Sequence, residues 1–488
     1  MNRSSFAFAF ALSVFVFQIA DAQTVKLVSD NGKTQLLRNG KPYSIRGVGG
    51  DSHLKSLSAA GGNSIRTWNA DGLEKTLDDA HKNGLSVCVG LWIGHERHGF
   101  DYQNESAILK QLDKCLAAVR KHKDHPAVLI WGIGNEMEGA GNNPAVWYAI
   151  NHIAREIKAI DRNHPTMTVI AELGENENKV RSIGRFCPDI DIVGINSYGG
   201  IGSIAQRYNK AGVDKPYVVT EHGPNGPWEV GKTAWDSAIE ASSTEKAKSY
   251  SRGYRSTVAD PKGSCLGTYA FLWGNKQETT ATWFGMLLPD GTRLGAVDEM
   301  TEAWTGKPPR NRCPAIESVK VSATEKLKPG QKLKATLTAS DAEGDPLKVK
   351  WILRQDSARV STGGDFQESE SSFKDAVTSN GTSANVVVPN GGGAYRLFAY
   401  VRDGQGGAAV ANVPLFVDAP IIPVAAAKVK LPFAVYGDDV KPPYAASGYM
   451  GNAEAINMVH DSGDNRKSGR TCLMVEYSAN DNWGGVLW

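Results

Sequence analysis

From residue 42 to about 305, short apolar runs repeat, each separated from the next by stretches that include amphipathic helical pieces, and this limits the possible folds more than any other feature. Eight runs can be read: 43–48, 63–68, 85–93, 127–134, 166–171, 190–195, 217–221 and 267–273. The helical pieces between them include 73–82, 107–122, 144–160 and 244–258. That alternation is the pattern of βαβ units on a parallel sheet. Eight strands over about 260 residues is the size of a (β/α)8 TIM barrel.

The regions on either side read differently. Arg3, the apolar run from Phe6 to Ile19 and the small residues Ala20-Asp21-Ala22 are expected to form an export signal over 1–22, because the run is too short to span a membrane. Residues 23–305 are then the barrel, with Asn31-Gly32 and Asn39-Gly40 predicting a hairpin cap ahead of its first strand. The Pro-rich, charged stretch 306–314 reads as a linker. The period beyond it becomes alternating, so 315–418 is expected to be an Ig-like β-sandwich with Trp351 in its core. Residues 419–488 form a connector and a short β-rich tail carrying Phe433, Tyr436, Tyr444, Tyr449, Trp483 and Trp488, which reads as a partial jelly roll or carbohydrate-binding segment. A linker of this kind predicts that a chain ending near residue 310 keeps a folded barrel. Six cysteines lie at 88, 115, 187, 265, 313 and 472 without framework spacing, with Cys265 and Cys313 the pair considered for a disulfide.

A net charge of +2, from 54 basic and 52 acidic residues, offers no field for tracking a phosphate backbone, so nucleic acid is not an expected partner. A secreted monomer, extracellular or periplasmic and without a membrane span, is the expectation.

In a parallel barrel the chemistry sits where the strands end. Glu136 follows Trp131-Gly-Ile-Gly-Asn135 at the end of the fourth run, and Glu221 closes the seventh. They lie 85 residues apart, about three βα units. Two carboxyls flanking one bond are what glycoside hydrolysis needs, one to protonate the leaving oxygen and one to attack the sugar or activate water. Tryptophans near strand ends or in the mouth loops, namely Trp68, Trp92, Trp228, Trp273 and Trp283, could stack on pyranose faces. Glu172, at the end of the fifth run, is the competing carboxylate, and His95, Glu96, His98 and His222 could meet sugar hydroxyls.

Over residues 42–305 these positions resemble the clan A glycoside hydrolases, the group that includes the family 2 and family 5 enzymes. Asn135-Glu136 resembles the clan's Asn-Glu pair on strand four, and Glu221 its nucleophile on strand seven. The resemblance implies a retaining β-glycoside hydrolase with Glu136 as acid/base and Glu221 as nucleophile. It further implies Arg66 and Tyr198 as partners of the nucleophile, Asn135 on the sugar 2-hydroxyl and Trp273 as the aromatic floor. The substrate is expected to be a polysaccharide or oligosaccharide, with β-glucan favoured, and neither cofactor nor metal is required. A transglycosylase using the same glutamates, or a non-catalytic glycan-binding protein on a degenerate barrel, are the alternatives.

Two other motifs point elsewhere. Gly226 to Thr233 satisfies the P-loop pattern, but Pro227 lacks a donor the cradle would need and Trp228 is bulky where phosphate must approach. Asp341, Glu343 and Asp345 could bind calcium but read better as a polar turn.

Overall fold

The structure is a computed structural model describing residues 24–30, 33–357, 365, 367, 369–421, 448–451, 456–462, 470, 472–477 and 484–487. The export signal and most of the tail aromatics lie outside the described residues. Eight parallel strands close into a barrel: β1 (Ile45–Gly49), β2 (Ser64–Arg66), β3 (Ser86–Leu91), β4 (Val128–Ile133), β5 (Thr166–Ala171), β6 (Ile192–Asn196), β7 (Tyr217–His222) and β8 (Cys265–Ala270). They follow one another in sequence order around the ring, and β8 pairs with β1 to close it. Strands covered on both faces read as unbroken apolar runs, and every residue of β3 and β4 is buried.

Around the ring lie helices α1 (Leu54–Ala59), α2 (Leu73–Lys82), α3 (Glu105–His122), α4 (Pro144–Ile160), α5 (Asn178–Phe186), α6 (Ile204–Ala211), α7 (Ser243–Val258) and α8 (Gly295–Thr305). Their starts follow local chemistry. Pro144 opens α4 behind the Asn143 cap, and Ser242 with Glu245 forms a reciprocal capping box on α7. Ahead of the barrel, Val25–Asp30, Lys33–Arg38 and Lys41–Pro42 form a three-stranded antiparallel cap.

A two-residue strand, β9 (Arg293–Leu294), precedes α8. Beyond α8 come β10 (Ala315–Val321), β11 (Lys332–Ser340), β12 (Lys348–Gln355), β13 (Val377–Asn380), β14 (Ser383–Val387), β15 (Gly393–Arg402) and β16 (Gly407–Val417). They form two four-stranded sheets, ordered β9-β16-β15-β12 and β10-β11-β14-β13. Trp351 is buried between them with Leu353, Leu397 and Val401. In the tail, two short antiparallel pairs join Gly448–Gly451 to Gly484–Leu487 and Ile456–Ser462 to Cys472–Tyr477.

The barrel and the sandwich share structure. β9 belongs to the last βα unit yet pairs in parallel with β16, and Leu288 and Leu294 pack against Phe398, Ala408 and Val410. Arg396 is buried, holds Asp356 through two bonds of 2.9 Å and donates to the Ala238 carbonyl at 2.9 Å. Asn412 donates to Glu240 at 2.6 Å, and Glu240 is itself held by Lys246, Thr280 and Thr282. The expectation that a linker separates the barrel from the sandwich is therefore corrected, because buried polar groups here find their partners across the junction. The considered disulfide is absent too: Cys265 Sγ donates to the Gly267 carbonyl and Cys313 Sγ to that of Arg293.

Candidate active site

The ends of β4, β6 and β7, together with Arg66 of β2 and Trp68 just beyond it, meet at the barrel mouth. Leaving β4, the chain turns at Gly134 with φ 73°; a Cβ there would stand 2.2 Å from the Met137 sulfur, so only glycine fits. Asn135 follows, then Glu136, itself in the left-handed region at φ 54°. Glu138 holds this turn against β5, its carboxylate accepting from the Ala171 amide at 2.9 Å and from Lys179 at 2.7 Å.

Both oxygens of Glu221 are fixed. Oε1 accepts from Arg66 Nη1 and Trp68 Nε1, each at 2.8 Å, and Oε2 accepts from the Tyr198 hydroxyl at 2.8 Å. Burial, then the charges of Glu221 and Glu136, push the Tyr198 phenol far up, so it stays a donor. Arg66 is almost wholly buried and also donates to Asn135 Oδ1 at 2.6 Å. Asn196 Nδ2 donates to that same oxygen at 3.1 Å and to Glu136 Oε1 at 2.7 Å. One chain of hydrogen bonds thus runs from Glu221 through Arg66, Asn135 and Asn196 to Glu136. Because both donors fall on Asn135 Oδ1, the group it can offer a ligand is its Nδ2.

Glu136 keeps a partial opening, yet protein packs closely round its carboxyl. Burial, and next the Glu221 charge, raise its pKa to about 7, while the Asn196 bond pulls the other way. A proton donor and a carboxylate held by three protein donors therefore face one mouth. A raised carboxyl contributes stability below its unfolded value of 4.5 and loses it as pH climbs through about 7. Glu136→Gln should accordingly raise Tm at pH 8 and leave it nearly unchanged at pH 4.5, as differential scanning calorimetry can show. An equal shift at both pH values would rule out this titration.

Other predicted residues fall elsewhere. His222 is fully buried and faces the helix layer, since side chains alternate along β7 and Glu221 takes the mouth. Its Nε2 meets the Thr268 hydroxyl at 3.1 Å, and burial drives its pKa down to about 3, so its assignment to substrate is corrected. Trp273 is corrected likewise: only 1% exposed, it packs in the core with Met286 and Leu287, leaving Phe271 to contact Trp68 and Tyr198. Trp283 is also buried, donating to the Asn225 carbonyl. Trp68 reaches the mouth, but as a donor to Glu221. Trp228 is 56% exposed and stands edge-on to the Tyr198 ring at 5.8 Å, on the rim.

Glu172 is engaged by Arg207 at 2.8 Å and by the Ser197 hydroxyl. In the P-loop-like stretch, the Gly226 amide donates to the Glu229 carboxylate, so an acid occupies the place of a phosphate. Asp341 accepts from the Glu343 and Asp345 amides, as a polar turn does. Two residues of the site, Asn196 and Glu138, are not among those the sequence singles out. The first stands beside Ser197 and Tyr198 at a strand end, a signal that could have found it; the second has none.

Comparison with known proteins agrees with this arrangement. Residues 78–237 match the family model described as glycosyl hydrolases family 2, TIM barrel domain. A β-glucuronidase of Chlorocebus aethiops is 28% identical over 191 residues, 34% of this chain and 26% of the relative. The β-glucuronidase of Homo sapiens is 26% identical over 189 residues, with the same coverage. The chain thus spans about a quarter of the length of the curated relatives it matches. Among solved structures, a family 2 β-galacturonidase from Eisenbergiella tayi bound to galacturonate superposes with a TM-score of 0.46 at 16% identity, over 58% of this chain and 54% of that one. By the family model and these curated relatives, the barrel is that of a clan A glycoside hydrolase, in family 2.

Proposed function

We propose that the protein hydrolyses β-linked polysaccharide, with β-glucan favoured, by a double displacement that retains anomeric configuration. The observation that carries this reading is the pairing of Glu221, both oxygens fixed by Arg66, Trp68 and Tyr198, with Glu136, raised to about 7, on one chain of hydrogen bonds. In the first step Glu136 gives its proton to the departing glycosidic oxygen while a Glu221 oxygen attacks the anomeric carbon, breaking the C–O bond and forming a glycosyl ester. In the second, Glu136 takes a proton from water, which attacks the same carbon and frees Glu221. The Asn135 amide binds the 2-hydroxyl, a contact that tightens as positive charge develops on the ring.

Exposed Trp228 and Trp92 at the mouth support a polymer of neutral pyranoses, whose C–H faces stack on indole. The shared name of the curated relatives supports a second reading, a uronoside. A transferase using the same glutamates differs only in the acceptor of the second step. The apolar run from Phe6 to Ile19 supports export.

Labelling with a 2-deoxy-2-fluoro β-glucoside or its glucuronide counterpart, followed by peptide mass spectrometry, tests the assignment. The tag is expected on Glu221, and the sugar that labels faster identifies the substrate class. A tag on Glu136 or Glu172, or none with either sugar, would overturn it.

A further inference from the structure

Two residues of the sandwich reach the barrel mouth. Asp365 lies 3.4 Å from Arg97 Nη2 and 3.3 Å from His98 Nε2, in the loop that follows β3. Gln367 accepts from the Thr279 amide at 2.7 Å, in the loop that follows β8, and donates back to the Ser357 hydroxyl at 2.5 Å. The Asp365 charge is felt both by His95, on the first loop, and by Glu278, on the second, and Glu278 in turn feels Glu221. Asp365 and Gln367 therefore stand between these loops, close to the reacting carboxylates.

Topology says which side they occupy. Around the ring β8 and β3 are separated by β1 and β2 alone, whereas Glu136 and Glu221 end β4 and β7. A line from β3 to β8 runs beside the line from β4 to β7, over the β1–β2 half of the mouth. Beyond it the wall continues as a ring stack, His98 on His95 at 5.2 Å and His95 on Trp92 at 4.7 Å. At its foot lies the buried pair of Arg396 and Asp356, next to Ser357.

We propose that Asp365 and Gln367 of the sandwich wall off the β1–β2 side of the barrel mouth, making the site a pocket that takes sugar units from a chain end. This rests on the hydrolase reading and deepens it. A polymer cannot thread through a cleft closed on one side, so internal bonds stay out of reach of Glu136 and Glu221.

The test follows the full-length protein on a long linear β-glucan, comparing viscosity with newly formed reducing ends, and on an aryl β-glucoside. The wild type is expected to form reducing ends with little loss of viscosity. An Asp365→Ala/Gln367→Ala variant should lose several-fold more viscosity per new end and release intermediate-length products, at unchanged aryl glucoside turnover. Its Tm should fall little, because the pair to Asp365 is solvent-exposed and such pairs are worth about 0–1 kcal/mol. A wild type that thins the polymer early, or a variant with the wild-type product pattern, would refute the wall. Failure to cleave any β-glycoside would instead remove the hydrolase reading, and the wall's role with it.

Discussion

Glu221→Ala is expected to cut turnover on an aryl β-glycoside by on the order of 10⁴-fold or more, with added azide restoring turnover and giving a product of inverted configuration. The size of the loss reflects the residue's part in the proposed reaction. Without it no covalent intermediate forms, and the remaining donors act on nothing. Azide is small enough to fill the void left by the side chain and attacks from the face the carboxylate occupied, which is why one inversion replaces two. The substitution also leaves the Arg66 guanidinium buried with only Asn135 and the Thr220 carbonyl as partners. Breaking one partner from a buried pair costs about 3–5 kcal/mol. Glu221→Gln, which keeps the volume and one acceptor oxygen, is therefore the companion variant. It should be equally inactive, nearer to native stability and unresponsive to azide, because the amide still blocks the attacking face. Azide rescue of Glu136→Ala with inversion, and none of Glu221→Ala, would exchange the two roles.

Much of the barrel could be read from the sequence because its parallel strands are covered on both faces and so spell continuous apolar runs. Thr166–Ala171, Leu73–Lys82 and Pro144–Ile160 form the elements their patterns predict. The carboxylates were legible for a related reason, since a charge at the end of a buried strand has little structural use. Direction was less legible. His222 follows Glu221 by one residue, and only the alternation of β7 sends it to the helices. Trp273 stands near a strand end, as a cleft residue should, but no local pattern tells a ring in the core from one in the mouth. The junction with the sandwich could not be read at all. Arg396 reaches a carbonyl 158 positions away at Ala238, and Asn412 pairs with Glu240, where neither segment alone signals the other.

That junction leads to the second large effect: a chain ending at residue 310 should lose most of its stability and its activity. β9 would lose its only partner strand, and Leu288 and Leu294, each about 2–3% exposed, would lie bare. Exposing two leucines costs about 3–6 kcal/mol, which in a domain of this size lowers Tm by on the order of 10 °C. Polar losses add to this. Glu240 would give up Asn412 and the nearby Arg396 charge while still carrying its bonds to Lys246, Thr280 and Thr282, so the loop after β8 loses part of its anchorage. That loop presents Glu278 and Phe284 near Glu221 and Tyr198, so turnover should fall along with stability. Arg396→Ala probes the same junction by one residue: it strands Asp356 in a buried site, at a cost of about 3–5 kcal/mol. Calorimetry of the shortened chain and of Arg396→Ala, with aryl glycoside turnover measured below both transitions, decides the matter. A shortened chain with native Tm and native turnover would mean that the sandwich is a passenger on an independent barrel.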